Sequence, residues 1–247
     1  MPRRRARTGG RRAIGSLGGH GRAFHERSAT LLLCLLLLLD AIGIALHLLV
    51  WLPDRALPLF SLERDGSYSE VFEYAKLLWL AVLLAVLARR QRSWSYLPAA
   101  LLVLYMLADD AIGLHEGLGE TMVQLFDFQA GFGLRAKDFG ELAVSVAAGL
   151  IFLPLLLLGY WRAAPAVRRT LLDFALLLAV LVFFAVGVDM LHSMTGPSGS
   201  LYRAVGVLED GGELVTMSVM VWYAFLTAVR PAPPQRFLID CLRRSPR

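Results

Sequence analysis

Six long apolar segments, separated by short polar connections, account for most of this chain of 247 residues. Each segment has about 20 mostly apolar residues, which is the length that a helix needs to cross the hydrocarbon core of a bilayer. The chain is 57% hydrophobic, more than a soluble domain of this size. The pattern therefore predicts an all-α, polytopic membrane protein with transmembrane helices at residues 29–52, 70–88, 95–114, 139–160, 170–192 and 204–229.

The pattern changes at both ends of the chain. Residues 1–28 are rich in Arg and Gly and offer little apolar area to bury, which predicts disorder. Residues 230–247 are basic and begin with Arg-Pro-Ala-Pro-Pro, which cannot continue a helix. We therefore divide the chain into a disordered cytoplasmic N-terminus, a transmembrane domain at 29–229 and a basic cytoplasmic tail.

The positive charges predict the orientation in the membrane. Nineteen of the 25 Lys and Arg residues lie at the two ends of the chain or in the connections after the second and fourth spans. The positive-inside rule places these parts, including both termini, in the cytoplasm. Topology thus explains the net charge of +5, together with attraction to anionic lipids, and a nucleic-acid partner is not expected. We expect a multi-pass protein of a bacterial-type inner (plasma) membrane, with the lipid bilayer as its surroundings.

Acidic residues occur inside the apolar spans, where a charge is costly and usually functional. Counting 1.5 Å per residue places most of them in the outer halves of the second to sixth spans. Lys76 is the one basic residue inside a span, and we expect it to pair with Glu73 or with Asp40 near the midplane. Because crowded carboxylates in a low dielectric cannot all stay ionised, the others require protons, a metal ion or a cationic ligand.

Residue spacing selects candidate metal ligands among these groups. Glu209 and Glu213 are four residues apart and share one helix face, as do Asp189 and His192 at a spacing of three. Asp189 could orient the His192 ring, whereas His47 is interpreted as an interfacial or hydrogen-bonded core residue. Carboxylates with imidazole suit zinc, iron or manganese. The predicted ligands are Asp109, Asp189, His192, Glu209 and Glu213.

A second set of residues is expected to support this site from its surroundings. This supporting set comprises Glu73, Lys76, Asp110, His115, Glu116 and Glu141. The acids in the outer connections are instead interpreted as ordinary loop residues, namely Asp54, Glu63, Asp65, Glu120 and Asp127.

Three functions remain open on this sequence. The first is a metal-dependent membrane hydrolase, in which a metal-activated water attacks a lipid-like or small external substrate and a carboxylate acts as the general base. The second is a proton- or cation-coupled transporter or channel. Asp173 is the one acid found in the cytoplasmic half, which favours a one-sided pocket over a complete pathway. The third is a non-catalytic subunit of a homo-oligomer or membrane complex.

Overall fold

The computed structural model describes residues 10–50, 58–196 and 198–229, with side chains from Glu26 onward. The described residues form an all-helical structure, which confirms the predicted all-α class. α1 is helical from Gly10, within the stretch for which the composition predicts disorder, and the basic tail lies outside the described residues. The helices are α1 Gly10–Val50, α2 Tyr68–Arg90, α3 Leu97–Ile112, α4 Leu114–Phe126, α5 Ala136–Arg162, α6 Pro165–Val182, α7 Asp189–Met194 and α8 Ser200–Val229.

Within the described residues, six helical segments are long and apolar enough to cross a membrane, the same number as the sequence predicts. Their outward surfaces carry large apolar side chains, such as Leu150 and Ile151 of α5, as expected for helices that face lipid. The spans are Glu26–Val50, Tyr68–Arg90, Trp94–Ile112, Ala136–Arg162, Pro165–Met194 and Ser200–Val229.

The helix α8 lies at the centre of the packing. It contacts α1, α2 and α6, and its side chains are buried along most of its second half. Tyr223 and Ala224 of α8 meet Leu80 and Leu84 of α2 and Leu181 of α6 in one apolar core. Polar side chains on α8 are therefore surrounded by several other helices.

Two features shape the end of the bundle at which α1 and α3 finish and α2, α5 and α8 begin, which we call the site end. A short 3-10 helix, Pro58–Phe60, lies between α1 and α2. Gly113 adopts a left-handed conformation (φ 60°) that ends α3 and lets the chain turn directly into α4. The helix α4 then packs on α5. The connections after the first and third spans thus contain helices of their own.

A turn of π-helix, Phe183–Val188, joins α6 to α7 within the fifth span. The ring of Phe184 in this turn lies against Gly212 of α8, where a Cβ atom would collide with it. π-Turns are rare and occur frequently at functional sites. This one directly precedes Asp189 and His192.

Candidate functional site

The centre of the candidate site is a contact between His192 of α7 and Glu209 of α8. His192 Nδ1 lies 2.6 Å from Glu209 Oε2, and the two side chains are 12% and 13% exposed. The ring of Tyr202 packs on the imidazole with a centroid separation of 4.2 Å. Asp189, which the sequence suggests as the residue that orients the ring, hydrogen-bonds to Glu209. Three of the five predicted ligands are therefore in one connected group.

The second nitrogen of His192 is directed to a small gap beside Gly206. Nε2 is buried and has no hydrogen-bond partner among the described residues. A Cβ atom on Gly206 would lie 2.9 Å from Glu63 Oε1 and 3.2 Å from His192 Nε2. The glycine therefore leaves space between the two groups, and we call this space the Gly206 gap.

Glu63 is a site residue that the sequence does not reveal. The segment that carries it turns back over the bundle because the Leu62 backbone N–H donates to His47 Nδ1 at 3.0 Å. This bond directs His47 Nε2 towards Glu63 Oε1, 3.9 Å away. The interpretation of His47 as a hydrogen-bonded core residue is confirmed, whereas Glu63 is more than an ordinary loop residue. Its contacts depend on a loop conformation, for which the sequence carries no periodic signal.

Further acidic side chains lie between the Gly206 gap and the interior of the bundle. Asp210 interacts electrostatically with Glu63 and Asp189, and its Oδ2 atom is buried with no hydrogen-bond partner in the described part of the chain. Deeper along α8, the predicted ligand Glu213 interacts with Glu73 of α2 and with Asp110 of α3. Glu213 therefore belongs to a cluster of carboxyl side chains deeper in the bundle, and not to the contact around His192.

The predicted ligand Asp109 holds the start of α4. Its Oδ1 accepts a hydrogen bond from the His115 backbone N–H at 2.7 Å, and its Oδ2 lies 3.3 Å from His115 Nδ1. The hydrogen bond to Asp109 raises the pKa of His115 above its ordinary value. Asp109 and His115 thus join α3 to α4.

The supporting residues Glu116 and Glu141 join α4 to α5 through a shared lysine. Lys137 Nζ lies 3.0 Å from Glu116 Oε1 and 3.1 Å from Glu141 Oε1. The hydrogen bond from Lys137 lowers the pKa of Glu116. Asp138 caps the start of α5 with a salt bridge of 2.6 Å to Arg135. This part of the site end is built from ion pairs that stabilise the fold.

Lys76 forms a buried ion pair with Asp40, one of the two partners that the sequence suggests. Lys76 Nζ lies 2.8 Å from Asp40 Oδ1 and donates a second bond of 2.8 Å to the carbonyl oxygen of Leu214. The Ser218 hydroxyl donates to Asp40 Oδ2 at 2.6 Å. This triad is nearly inaccessible to solvent and connects α1, α2 and α8.

The other half of the bundle contains a polar network that counting acids along the sequence underestimates. The Tyr223 hydroxyl donates to Asp173 Oδ2 at 2.5 Å, and Tyr96 donates to Gln91 Oε1 at 3.0 Å. Thr170 is buried close to both tyrosine hydroxyls. The signal that could have identified this network is the presence of tyrosine and threonine hydroxyls at buried helix positions.

The described residues contain no group of three or more His, Cys, Asp or Glu side chains arranged as metal ligands. The predicted ligands divide into the group of Asp189, His192 and Glu209, the inner Glu213 and the helix-joining Asp109. What the site offers is one imidazole nitrogen without a hydrogen-bond partner, in a gap bordered by carboxylates.

A family model described as a domain of unknown function, DUF8692, matches residues 29–229. The match covers nearly all of the six spans and every residue of the candidate site. No curated protein and no solved structure matches the chain.

Proposed function

We propose that this chain, which belongs to the DUF8692 family, is a membrane protein that binds a divalent transition-metal ion at His192 Nε2. The observation that carries the proposal is the state of the two ring nitrogens. Nδ1 is held by Glu209 at 2.6 Å, while Nε2 is buried without a hydrogen-bond partner in the described residues. A histidine that binds a metal commonly has its other nitrogen held by a carboxylate in this way.

Carboxylates beside the gap supply the remaining ligands in this proposal. Glu63 Oε1 borders the Gly206 gap together with His192 Nε2, and Asp210 Oδ2 is buried nearby without a hydrogen-bond partner among the described residues. Imidazole with carboxylates suits zinc, iron or manganese. Glu209 takes the role of orienting the ring, with Asp189 hydrogen-bonded behind it.

The reaction class that follows is hydrolysis of an ester-like bond. A divalent ion at His192 would supply a Lewis acid and a nucleophilic water. Among the residues of the chain, Glu209 fixes the imidazole and Tyr202 packs on its ring. A carboxylate that is not a ligand would accept the proton of the attacking water and return it to the departing alkoxide. From the arginine distribution we propose that the site end faces the outside of a plasma membrane.

Metal content is the direct test of the proposal. The purified protein is loaded separately with zinc, iron(II) and manganese, freed of excess ion, and analysed for metal per chain. We expect about one bound ion in the parent protein and none in His192→Ala, because Nε2 is the proposed nitrogen ligand. His115→Ala is the matched control, since His115 contacts Asp109 outside the gap, and it should retain the ion.

Two further variants separate metal binding from folding. Glu63→Gln removes a charge from a partly exposed side chain, and Gly206→Ala fills the gap without removing any ligand. Both should lose metal while keeping the melting temperature of the metal-free parent. A parent protein that retains none of the three ions would contradict the proposal, and so would equal loss of metal in His115→Ala.

A second candidate function, proton transfer across the membrane, is favoured by the buried Tyr223–Asp173 hydrogen bond in the other half of the bundle. Ser218 of the Lys76 triad lies five residues from Tyr223, or about 7.5 Å along α8. Apolar side chains such as Met220 and Val221 occupy this interval. Proteoliposomes with an internal pH-sensitive dye test it: transport predicts proton uptake that Asp173→Asn abolishes, whereas no uptake above protein-free vesicles excludes it.

A further inference from the structure

A cavity of about 190 Å³ lies between α1 and α2, separate from the Gly206 gap. α1 packs mainly on α8 and only marginally on α2, so the two helices leave an opening between them. The wall is predominantly apolar and includes Leu46 of α1, Phe72 of α2 and Leu214 of α8.

The cavity opens on the surface that would face lipid. Leu39 and Ile42 of α1 line it and are 50% and 46% exposed, and Tyr68 at the start of α2 is 62% exposed. These residues belong to two of the six candidate spans. In a bilayer, the mouth of the cavity therefore meets acyl chains rather than water.

The polar groups in the wall determine what the cavity can accept. Asp40 lines it, but both carboxylate oxygens are engaged, one by Lys76 and the other by Ser218. The other polar groups in the wall are the side chains of Tyr68 and Ser69 near the site end. Because the embedded charges are already paired, the interior suits an uncharged hydrocarbon. A cavity of about 150 Å³ accommodates benzene, so this one is large enough for the end of an acyl chain.

One segment borders both the cavity and the Gly206 gap. Phe60 lines the cavity, and Glu63, three residues later, borders the gap. On α1, Leu46 lines the cavity and its neighbour His47 faces Glu63 at 3.9 Å. A molecule with an apolar tail in the cavity would therefore hold its polar part beside Glu63.

We propose that the cavity binds the acyl chain of a membrane lipid and thereby directs its head group or ester linkage to the Gly206 gap. The inference rests on the proposed function, since it names the substrate class of the same site: an acyl lipid taken laterally from the bilayer. The tail occupies the space between α1 and α2, and the ester end lies near His47, Glu63 and His192.

Photolabelling in liposomes tests this inference. The parent protein is reconstituted with a phosphatidylcholine that carries a diazirine near the end of one acyl chain, and the labelled peptides are identified by mass spectrometry. We expect labelling to concentrate on cavity residues such as Leu39, Ile42 and Phe72. Equal labelling of Leu150 and Ile151, which are exposed on α5 away from the cavity, would overturn the proposal.

A cavity-filling variant provides the matched comparison. Gly43 lines the cavity, and a Cβ atom there would lie 3.2 Å from Ser69 Oγ, so Gly43→Leu places its side chain in the space. Gly149→Leu is the control, because nothing lies within 4 Å of a Cβ at that position of α5. We expect cavity labelling to fall about tenfold in Gly43→Leu and to stay unchanged in Gly149→Leu.

Metal analysis of the same samples distinguishes the two proposals. Concentrated labelling in a parent protein that binds no metal would support the lipid site and contradict the metal site. Bound metal with uniform labelling would do the reverse. Unchanged labelling in a folded Gly43→Leu protein would also overturn the lipid site.

Discussion

Lys76 is a charged residue in the interior of an apolar helix, and it stays there because each of its partners is also buried. Its ammonium group donates to Asp40 and to the Leu214 carbonyl oxygen, and it lies 4.6 Å from the centroid of the Phe72 ring. Ser218 donates to the other carboxylate oxygen of Asp40. Removing one partner of a buried ion pair leaves an uncompensated charge, whereas replacing both partners with apolar residues is often neutral.

We therefore expect Lys76→Met to lower the free energy of unfolding by about 3–5 kcal/mol, because Asp40 is left unpaired. Asp40→Leu should have a comparable effect. The double variant should recover most of the loss, and unfolding in mixed detergent micelles measures all three proteins. A double variant whose loss equals the sum of the two single losses would show that the ion pair does not couple these residues.

His115 gives the site end a pH dependence of stability. The hydrogen bond to Asp109 raises its pKa above the ordinary value of 6.5, with smaller contributions from the charges of Glu141 and Asp110. A pKa that is higher in the folded state contributes stability fully below the unfolded value, and this contribution is lost as the pH rises through the folded value.

We expect the melting temperature of the parent to exceed that of His115→Gln below about pH 6.5, and the difference to shrink as the pH rises above it. Glu116 acts in the opposite sense, because its pKa is lowered: its contribution is present above the ordinary value of 4.5 and is lost in stronger acid. Melting curves from pH 4 to 9, recorded beside Glu116→Gln, separate the two. A difference between parent and His115→Gln that is constant with pH would contradict the assignment to His115.

For single residues, the sequence predicts a contact where burial of a charge leaves few possible partners. Lys76 requires a buried acid, and Asp40 is one of the two that lie at a suitable depth. Glu63 could not be predicted, because its position depends on the bond between the Leu62 backbone and His47. The sequence predicts Asp109 as a metal ligand because helix counting gives its depth. Counting does not show that the Asp109 carboxylate accepts a hydrogen bond from the backbone N–H of His115 at the start of the next helix.

The π-turn Phe183–Val188 determines which way α7 faces. In a continuous α-helix each residue advances by about 100°, so the direction of His192 depends on the number of residues before it. The turn is packed closely, since the Phe184 ring occupies the space that a side chain at position 212 would need. The contact between His192 and Glu209 therefore depends on the register of this turn.

Deletion of Gly187 tests this dependence. We expect the deletion to rotate His192 away from Glu209 and to expose its ring, because the residues after it turn by about 100°. Gly187→Ala is the matched control, since its Cβ would lie at an ordinary 3.5 Å from the Phe183 ring. Modification by diethyl pyrocarbonate, followed by mass spectrometry, reports ring exposure. A His192 that stays protected in the deletion variant would show that register does not govern the contact.

Elements were predictable where a long hydrophobic run identifies them. All six spans follow from hydropathy, with ends that shift by several residues, as at Ala136, where Arg135 and Asp138 form a capping box. The π-turn was not predictable, because its composition is that of the apolar helix around it. The sequence pattern places the residues of α4 in the connection after the third span, because their Gly and acidic residues interrupt the apolar pattern.

For the molecule as a whole, the buried polar groups form two separate layers along α8. One extends from the Gly206 gap through Glu213 to the Lys76 triad, and the other surrounds Asp173. The sequence predicted the first layer and a nearly apolar second half. It underestimated the second half because uncharged hydroxyls such as those of Tyr96 and Thr170 carry no weight in a count of charges.

The proposed orientation of the bundle rests on a different set of residues, which take no part in either layer. Arginines outnumber acids in the connections at the end opposite the site end, Gln91–Ser93 and Ala163–Ala164, and in the helix turns beside them. On the positive-inside rule we therefore expect that end to face the cytoplasm and the Gly206 gap to face the outside.

Single cysteines in a Cys34→Ser, Cys241→Ser background test this orientation without altering any basic residue. Glu120→Cys lies on α4 at the site end, and Ala164→Cys lies in the connection between α5 and α6; both parent residues are exposed. In intact cells, a membrane-impermeant maleimide should label Glu120→Cys, and it should label Ala164→Cys only after the cells are lysed. The reverse labelling pattern would contradict this orientation and show that the proposed site faces the cytoplasm. Labelling of both residues in intact cells would mean that the segment between them does not cross the membrane as a single span.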